Sequence, residues 1–333
     1  MAVNLSSFGL PPGGASNDMN RKIINPRTYV AVRTSSPPKM DGRLDDGAWQ
    51  AAPWSEDLVD IEGDRKPKPT WRTRFKMTWD DKCLYIGAEI EEPHVCATLK
   101  ERDCVIFQDN DFEVFIDPDA DCHEYYELEL NAFGTFWDLL LTKPYKDGGS
   151  PVNNWDAKGI VVKVHVKGTI NDPSDTDEGW TVEIAYPWSA LKECAKRNAP
   201  PKDGDQWRIN FSRVEWDVTV EKGKYKKVPG RPEHNWVWSP QGVIDMHRPE
   251  RWGIVQFSEK KVAFRPDPTL DARDALIQVY YAQKEFQAKT RRYAKDVAEL
   301  GLDLPVKLYT TPNLFEAVCG NVRINQESRF WLD

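Results

Sequence analysis

Phe112-Glu113-Val114-Phe115-Ile116-Asp117, the turn Pro118-Asp119-Ala120-Asp121, and then Tyr125-Tyr126-Glu127-Leu128-Glu129-Leu130-Asn131 decide the fold class. Side chains along a strand point alternately to its two faces. Glu113, Phe115 and Asp117 therefore share one face of the first segment. Tyr125, Glu127, Glu129 and Asn131 share one face of the second, with Leu128 and Leu130 behind them. Two alternating runs joined by a short acidic turn predict a β-hairpin.

The same pattern extends in both directions. Upstream, Thr70–Trp79 alternates at Trp71, Thr73, Phe75 and Met77, Asp80-Asp81 turns, and Cys83–Ile90 alternates again. Downstream, Gly134 interrupts and Phe136–Leu141 resumes. Ile160–Val166, Gly179–Ala185, Gln206–Glu215 and Trp252–Phe257 read as further strands. Short helical pieces are predicted before Trp49 and at Pro187–Lys192, with Trp49 and Trp54 packing inward. The 24 Pro and 20 Gly fit many turns. Strands follow one another without a regular helical crossover, which predicts an all-β chain, an antiparallel β-sandwich of jelly-roll or immunoglobulin-like type.

The end of the chain differs in kind. Asp267 and Pro268 open a helical pattern in which Leu276, Val279, Tyr280, Phe286, Tyr293, Val297 and Leu300 form an apolar stripe, and Gly301 is placed to end it. Phe315–Val318, Val322–Ile324 and Arg329–Leu332 follow as extended pieces. Residues 1–36 read as a flexible leader with a short extended segment at Thr28–Arg33. Residues 37–260 read as the sandwich, and 261–333 as a C-terminal helix and hairpin docked on it.

Composition narrows the function. The formal net charge of −8 disfavours nucleic acid, whose phosphates need a basic field. No apolar run approaches the ~20 residues of a membrane span. The start of the chain lacks a cationic and apolar leader, which favours the cytoplasm over the cell exterior. The six cysteines form no CxxC pair and read as free thiols. Fourteen Trp among the 333 residues supply rings that pack cores and also stack on sugars.

Carboxylates and an amide along one strand face can satisfy sugar hydroxyls; a solvated sheet face is the plainer alternative. Glu127 and Glu129 lie two residues apart, ~6–7 Å between side chains, near the range of an inverting glycosidase. They do not oppose each other across a cleft, and no nucleophile or phosphate-loop motif appears, so an enzyme is the less favoured reading. Asp117, Asp119 and Asp121 have spacing compatible with calcium but lack the glycine and distal glutamate of an EF-hand loop, so an ordinary acidic turn competes. In His234-Asn235-Trp236-Val237-Trp238-Ser239-Pro240-Gln241, Trp236 and Trp238 point the same way if extended. Core packing is one reading, and the polar, Pro-rich flanks favour a rim loop. Arg248, Glu250 and Arg251 suggest a buried salt-bridge corner.

The order of motifs resembles a known family. Asp41-Gly42-x-Leu44-Asp45 with Trp49, the two strands quoted first, Trp180-x-x-Glu183-Ile184 with Pro187-Trp188, Trp207-Arg208-x-Asn210-Phe211-x-Arg213, Trp238-Ser239-Pro240 and His247-Arg248-Pro249-Glu250-Arg251-Trp252-Gly253 are similar to the family 9 carbohydrate-binding modules. The resemblance spans roughly residues 37–258. It implies a β-sandwich, structural calcium, and non-catalytic binding of a saccharide or polysaccharide between two aromatic rings. Carried onto this chain, the clamp falls on Phe107 and Trp238. Glu127, Glu129, Asn131, Arg213 and Trp236 complete the expected site, and Asp117, Asp119 and Asp121 the expected metal set. Glu129 stands where well-known members have an arginine, so the local charge is reversed. A carbohydrate-processing enzyme with O-glycosyl hydrolase activity and a scaffold for another small ligand are the alternatives.

Overall fold

Which way each alternating strand turns its apolar side decides the architecture. The computed structural model describes residues 25–195 and 199–333; residues 1–24 of the predicted leader lie outside it. In chain order the strands are β1 (Thr28–Arg33), β2 (Val59–Asp60), β3 (Thr73–Trp79), β4 (Cys83–Glu91), β5 (Asp111–Asp117), β6 (Tyr125–Asn131), β7 (Phe136–Leu141), β8 (Pro151–Val152), β9 (Val161–Lys167), β10 (Gly179–Pro187), β11 (Gln206–Glu215), β12 (Val218–Glu221), β13 (Lys224–Lys227), β14 (His234–Val237), β15 (Gly253–Ser258), β16 (Lys307–Thr310), β17 (Phe315–Cys319), β18 (Val322–Asn325) and β19 (Phe330–Leu332). The α-helices are α1 (Gly47–Ala51), α2 (Trp188–Leu191) and α3 (Leu270–Thr290).

One hydrogen-bonded path runs β8-β7-β6-β5-β11-β15-β1-β3-β4-β10-β9, with β14 against β11 and β2. It curls on itself. Phe112, Val114, Ile116, Leu128 and Leu130 from one half meet Phe75, Met77, Ile86, Val182 and Ile184 from the other in a single apolar core. The result is the expected β-sandwich. Its ladders are antiparallel except at β1, which pairs in parallel with both β15 and β3. This strand was expected in the leader. Instead it joins the two halves of the path, with Tyr29 and Ala31 in the core.

Two sequence motifs meet at one structural lock. Glu183 on β10 accepts from Trp49 Nε1 at 2.7 Å and from the backbone N–H groups of Asp41 and Gly42 at 2.7 and 2.6 Å. Gly42 has φ +88°, and a Cβ there would fall 2.6 Å from the backbone carbon of Val164. Only glycine suits this turn. Trp54 does not pack inward as Trp49 does; it lies half-buried under Arg74 and Lys76.

The C-terminal helix is shorter than its stripe suggested. It ends at Thr290, where Arg291 takes a left-handed φ of 64° and returns its N–H to Gln287. Tyr293, Val297 and Leu300 reach the same apolar cluster from the following loop. The predicted hairpin is a four-stranded sheet, β16-β17-β18-β19. Leu276, Val279 and Tyr280 pack on Phe315, Val322, Ile324 and Phe330, with Cys122 contributed by the sandwich. The appendage thus has a small core of its own and meets the sandwich largely through polar contacts. Tyr281 donates to Glu250, which also pairs with Lys146 of the sandwich at 2.8 Å, Tyr280 donates to Asp147, and Arg329 pairs with Asp121 at 3.0 Å. No helix among the described residues is long and apolar enough to cross a membrane.

The Glu250 corner has a pH signature. Burial alone would raise its carboxyl, but Lys146 and Arg248 outweigh burial and hold it down at about 2. A carboxylate depressed in the folded state stabilises above its unfolded value of 4.5, and that stability is lost as pH falls toward 2. The stability difference between the native chain and Glu250→Gln is therefore expected to be full above pH 5 and to shrink steadily toward pH 2, measured by urea unfolding across that range.

Candidate functional site

The polar side of β5 and β6 is where the expected chemistry collects. Glu113 stands directly across from Glu129, and Asp111 from Asn131. Ser212 on β11 faces Glu113, and Trp137 on β7 faces Glu129. This face is not solvated. Asp111 is 0% exposed, Glu113 and Glu127 5%, and Glu129 3%.

Loops from distant parts of the chain cover it. The turn at Ile106–Gln108 brings the Phe107 N–H to Glu129 Oε2 at 3.0 Å and leaves the ring half-buried at the rim. Trp216 Nε1 donates to the Phe107 carbonyl at 2.9 Å, with Lys227 over its ring. On the other flank His247 contacts the Tyr125 hydroxyl at 3.0 Å, and its Nε2 lies 3.9 Å from Glu127. The exposed ring of Tyr145 meets His247 edge to face at 4.4 Å.

Burial dominates the electrostatics. It raises Asp111, Glu127 and Glu129 well above the ordinary carboxyl range, and their mutual repulsion adds to it. Glu113 is pushed up to about 7, chiefly by burial, with the nearby Ser212 hydroxyl and Asp111 pulling it back down. Burial pushes His247 down to about 4, so it is neutral at pH 7.

The structure separates the expected site residues. Phe107, Glu127 and Glu129 do come together. Asn131 is adjacent but fully committed: its Nδ2 donates to Leu99 O and Asp109, and its Oδ1 accepts from the N–H groups of Phe133 and Thr135. It shapes the turn and has no free group for a ligand. Arg213 points to the opposite side of β11, where it is fully buried, pairs with Glu215 at 2.7 Å and donates to Thr73 and the Glu91 carbonyl. Trp236 and Trp238 belong to the core cluster, with 4% and 1% exposure. The rim assignment of Trp238 is therefore corrected: a ring with no accessible face cannot stack on a sugar. The same correction applies to Trp236 and Arg213, because alternation carries all three into the sandwich.

Sequence reasoning missed Asp111, Trp137, Tyr145, Trp216 and His247 as neighbours of this face. Asp111 and Trp137 had a signal, since strand register places them beside Glu113 and Glu129. Tyr145, Trp216 and His247 had none, because loops bring them there.

Comparison with known proteins adds the family. Residues 40–224, more than half of the chain, match the family described as carbohydrate family 9 binding domain-like. The chain belongs to this family. The family 9-like match takes in both strands of the carboxylate face, Phe107, Trp137 and Trp216, while β1, β14, β15 and the C-terminal appendage lie beyond it. Among curated proteins it is similar to exoglucanase XynX of Acetivibrio thermocellus and to endo-1,4-β-xylanase A of Thermoanaerobacterium saccharolyticum, each 25% identical over 169 residues. Those matches span 51% of this chain but only 13% and 12% of the relatives. Among solved structures, a candidate carbohydrate-binding protein from Bacteroides uniformis superposes with a TM-score of 0.50 at 17% identity, over 70% of this chain and 100% of that one. A family 9 carbohydrate-binding module from Caldicellulosiruptor kristjanssonii, solved with cellotriose, gives 0.47 at 15% identity, over 72% and 100%.

Proposed function

We infer that this family 9-like chain is a non-catalytic carbohydrate-binding protein whose saccharide site lies over the carboxylate face of β5 and β6. The observation that carries the placement is the ring of aromatics around Glu127 and Glu129. Phe107 and Trp137 are half-buried, and Tyr145 is exposed beside His247. The indole Nε1 of Trp137 is buried without a partner, a donor suited to a sugar hydroxyl. Phe107 and Tyr145 take the stacking role first given to Phe107 and Trp238. Glu129, in place of an arginine, offers acceptors where well-known members offer donors, which favours ligands with hydroxyls directed at that point.

The names of the curated relatives make β-1,4-glucan and xylan oligosaccharides the first ligands to titrate. Phe107→Ala and Tyr145→Ala are each expected to weaken binding about tenfold, or ~1.4 kcal/mol, with melting unchanged because both rings lie at the rim. Calorimetric titration and a thermal melt of each variant test this. Unchanged affinity in both variants would move the site elsewhere. Release of reducing sugar from the same oligosaccharides would overturn the non-catalytic reading.

The calcium implied by the family resemblance would be held by Asp117, Asp119 and Asp121. One oxygen from each lies within 4.8 Å of the others, and Asp117 Oδ1 is buried without a partner, which fits an oxygen-ligated ion. Arg329 pairs with Asp121, and Arg273 acts on Asp117, so part of the negative charge is already met. Asp119→Asn is expected to lower the calcium content by one ion per chain, read by elemental analysis after gel filtration. An unchanged count would leave the turn as an arginine-locked corner.

A further inference from the structure

We propose that Asp111, Glu113 and Glu129 form a second, oxygen-only site for a calcium-sized divalent cation, set beneath the rim of the carboxylate face. One carboxylate oxygen from each lies within 4.8 Å of the others. Calcium takes carboxylate oxygens at 2.3–2.6 Å, so oxygens on opposite sides of one ion stand about 5 Å apart. The sheet itself builds the cluster. Glu113 and Glu129 are directly opposed across β5 and β6, and Asp111 lies two residues along the same face as Glu113. Like charges opposed across a ladder are normally destabilising. Glu127, on the same face, adds a fourth carboxyl.

The described residues supply no countercharge. Among the described residues, none of the four pairs with Lys or Arg, and the contact of Glu127 is with neutral His247. Elsewhere in the chain buried acids are matched: Glu215 by Arg213, Glu250 by Lys146, and Glu183 by three N–H groups. The turn at Asp117, Asp119 and Asp121 also has arginines against it.

A separate observation points the same way. Ser212 is 1% exposed and stands across from Glu113. Its hydroxyl faces that carboxylate but closes no hydrogen bond of normal geometry. Asp111 Oδ2 is also buried without a partner. Unpartnered buried oxygens are costly, and one cation satisfies several at once. An all-oxygen donor set selects a hard ion over zinc or copper. Such a site needs no saccharide to form.

The test uses the full chain, stripped with EDTA and exchanged into chelator-free buffer. Terbium is titrated while tryptophan-sensitised emission is read, calcium is then added as competitor, and melting is followed with and without calcium. Saturable emission displaced by calcium is expected, together with a calcium-dependent rise in melting temperature. Asp119→Asn removes the contribution of the acidic turn and should keep part of that rise. Added to the Asp119→Asn chain, Asp111→Asn and Glu129→Gln should each abolish what remains, with the residual calcium affinity at least tenfold weaker. Both substitutions keep side-chain shape and relieve repulsion, so in EDTA they should melt no earlier than the native chain, which separates lost binding from lost folding. A native chain that calcium does not stabilise would overturn the site. So would a calcium response of the Asp119→Asn chain that survives the added Asp111→Asn or Glu129→Gln, or one that Asp119→Asn alone abolishes. Saccharide titration of native chain in EDTA keeps the two functions apart: binding that persists there leaves the proposed function standing whatever the fate of the ion.

Discussion

Trp238→Ala is expected to destabilise the fold by about 3–5 kcal/mol, the cost of emptying a large aromatic site in a close-packed core. The indole is edge-on to Phe75, with ring centroids 5.1 Å apart and an interplanar angle of 89°, and also contacts Phe211 at 6.2 Å. Its backbone N–H donates to the Phe211 carbonyl, which fixes the ring beside the core face of β11. The far side of the ring rests on Gly253: a Cβ there would lie 2.1 Å from the indole, so even the smallest side chain would displace it. Urea unfolding of Trp238→Ala should show the loss, and Gly253→Ala should show one of the same sign. A Trp238→Ala protein that melts normally but no longer binds saccharide would place the ring at the rim.

Arg213→Ala is the second large effect, again about 3–5 kcal/mol, because removing one member of a buried pair strands the other. Arg213 is the ion partner of Glu215 at 2.7 Å and lies 3.8 Å from Glu92. Asn110 and Trp180 also donate to Glu92, but they bring no charge. Burial already pushes Glu215 up to about 8, with Arg213 pulling against it. An acid raised in the folded state contributes stability that is full below its unfolded value of 4.5 and is lost as pH rises through the folded value. Without Arg213 that folded value climbs further. The variant should therefore lose most at pH 8 and recover part of the loss at pH 5, where the stranded carboxyls hold their protons. A loss that does not change between these two pH values would mean that packing, not charge, is what Arg213 supplies.

Both predictions concern residues that the sequence placed in a ligand site, and the reason they moved is instructive. Strand alternation is a local property with a period of two, so Tyr125–Asn131, Phe136–Leu141 and Gln206–Glu215 were legible to the residue. So was the sharing of one face by Glu127 and Glu129, and the motif order alone pointed to the family. Alternation also put Trp236 and Trp238 on a common side. It could not say whether that side met solvent or the opposite sheet, since this depends on how a path of hydrogen-bonded strands curls back on itself. Register across β11 and β14 settled it, pairing Trp236 with the inward Arg213. The carboxylate face shows the converse. Its residues were readable from one hairpin, but a solvated sheet face and a buried acidic cluster have the same alternation. The coverings, Phe107 from a turn before β5 and His247 from a loop before β15, arrive from segments far apart in sequence. Burial, and with it the raised pKa values of these carboxyls, exists only once those loops close over the sheet.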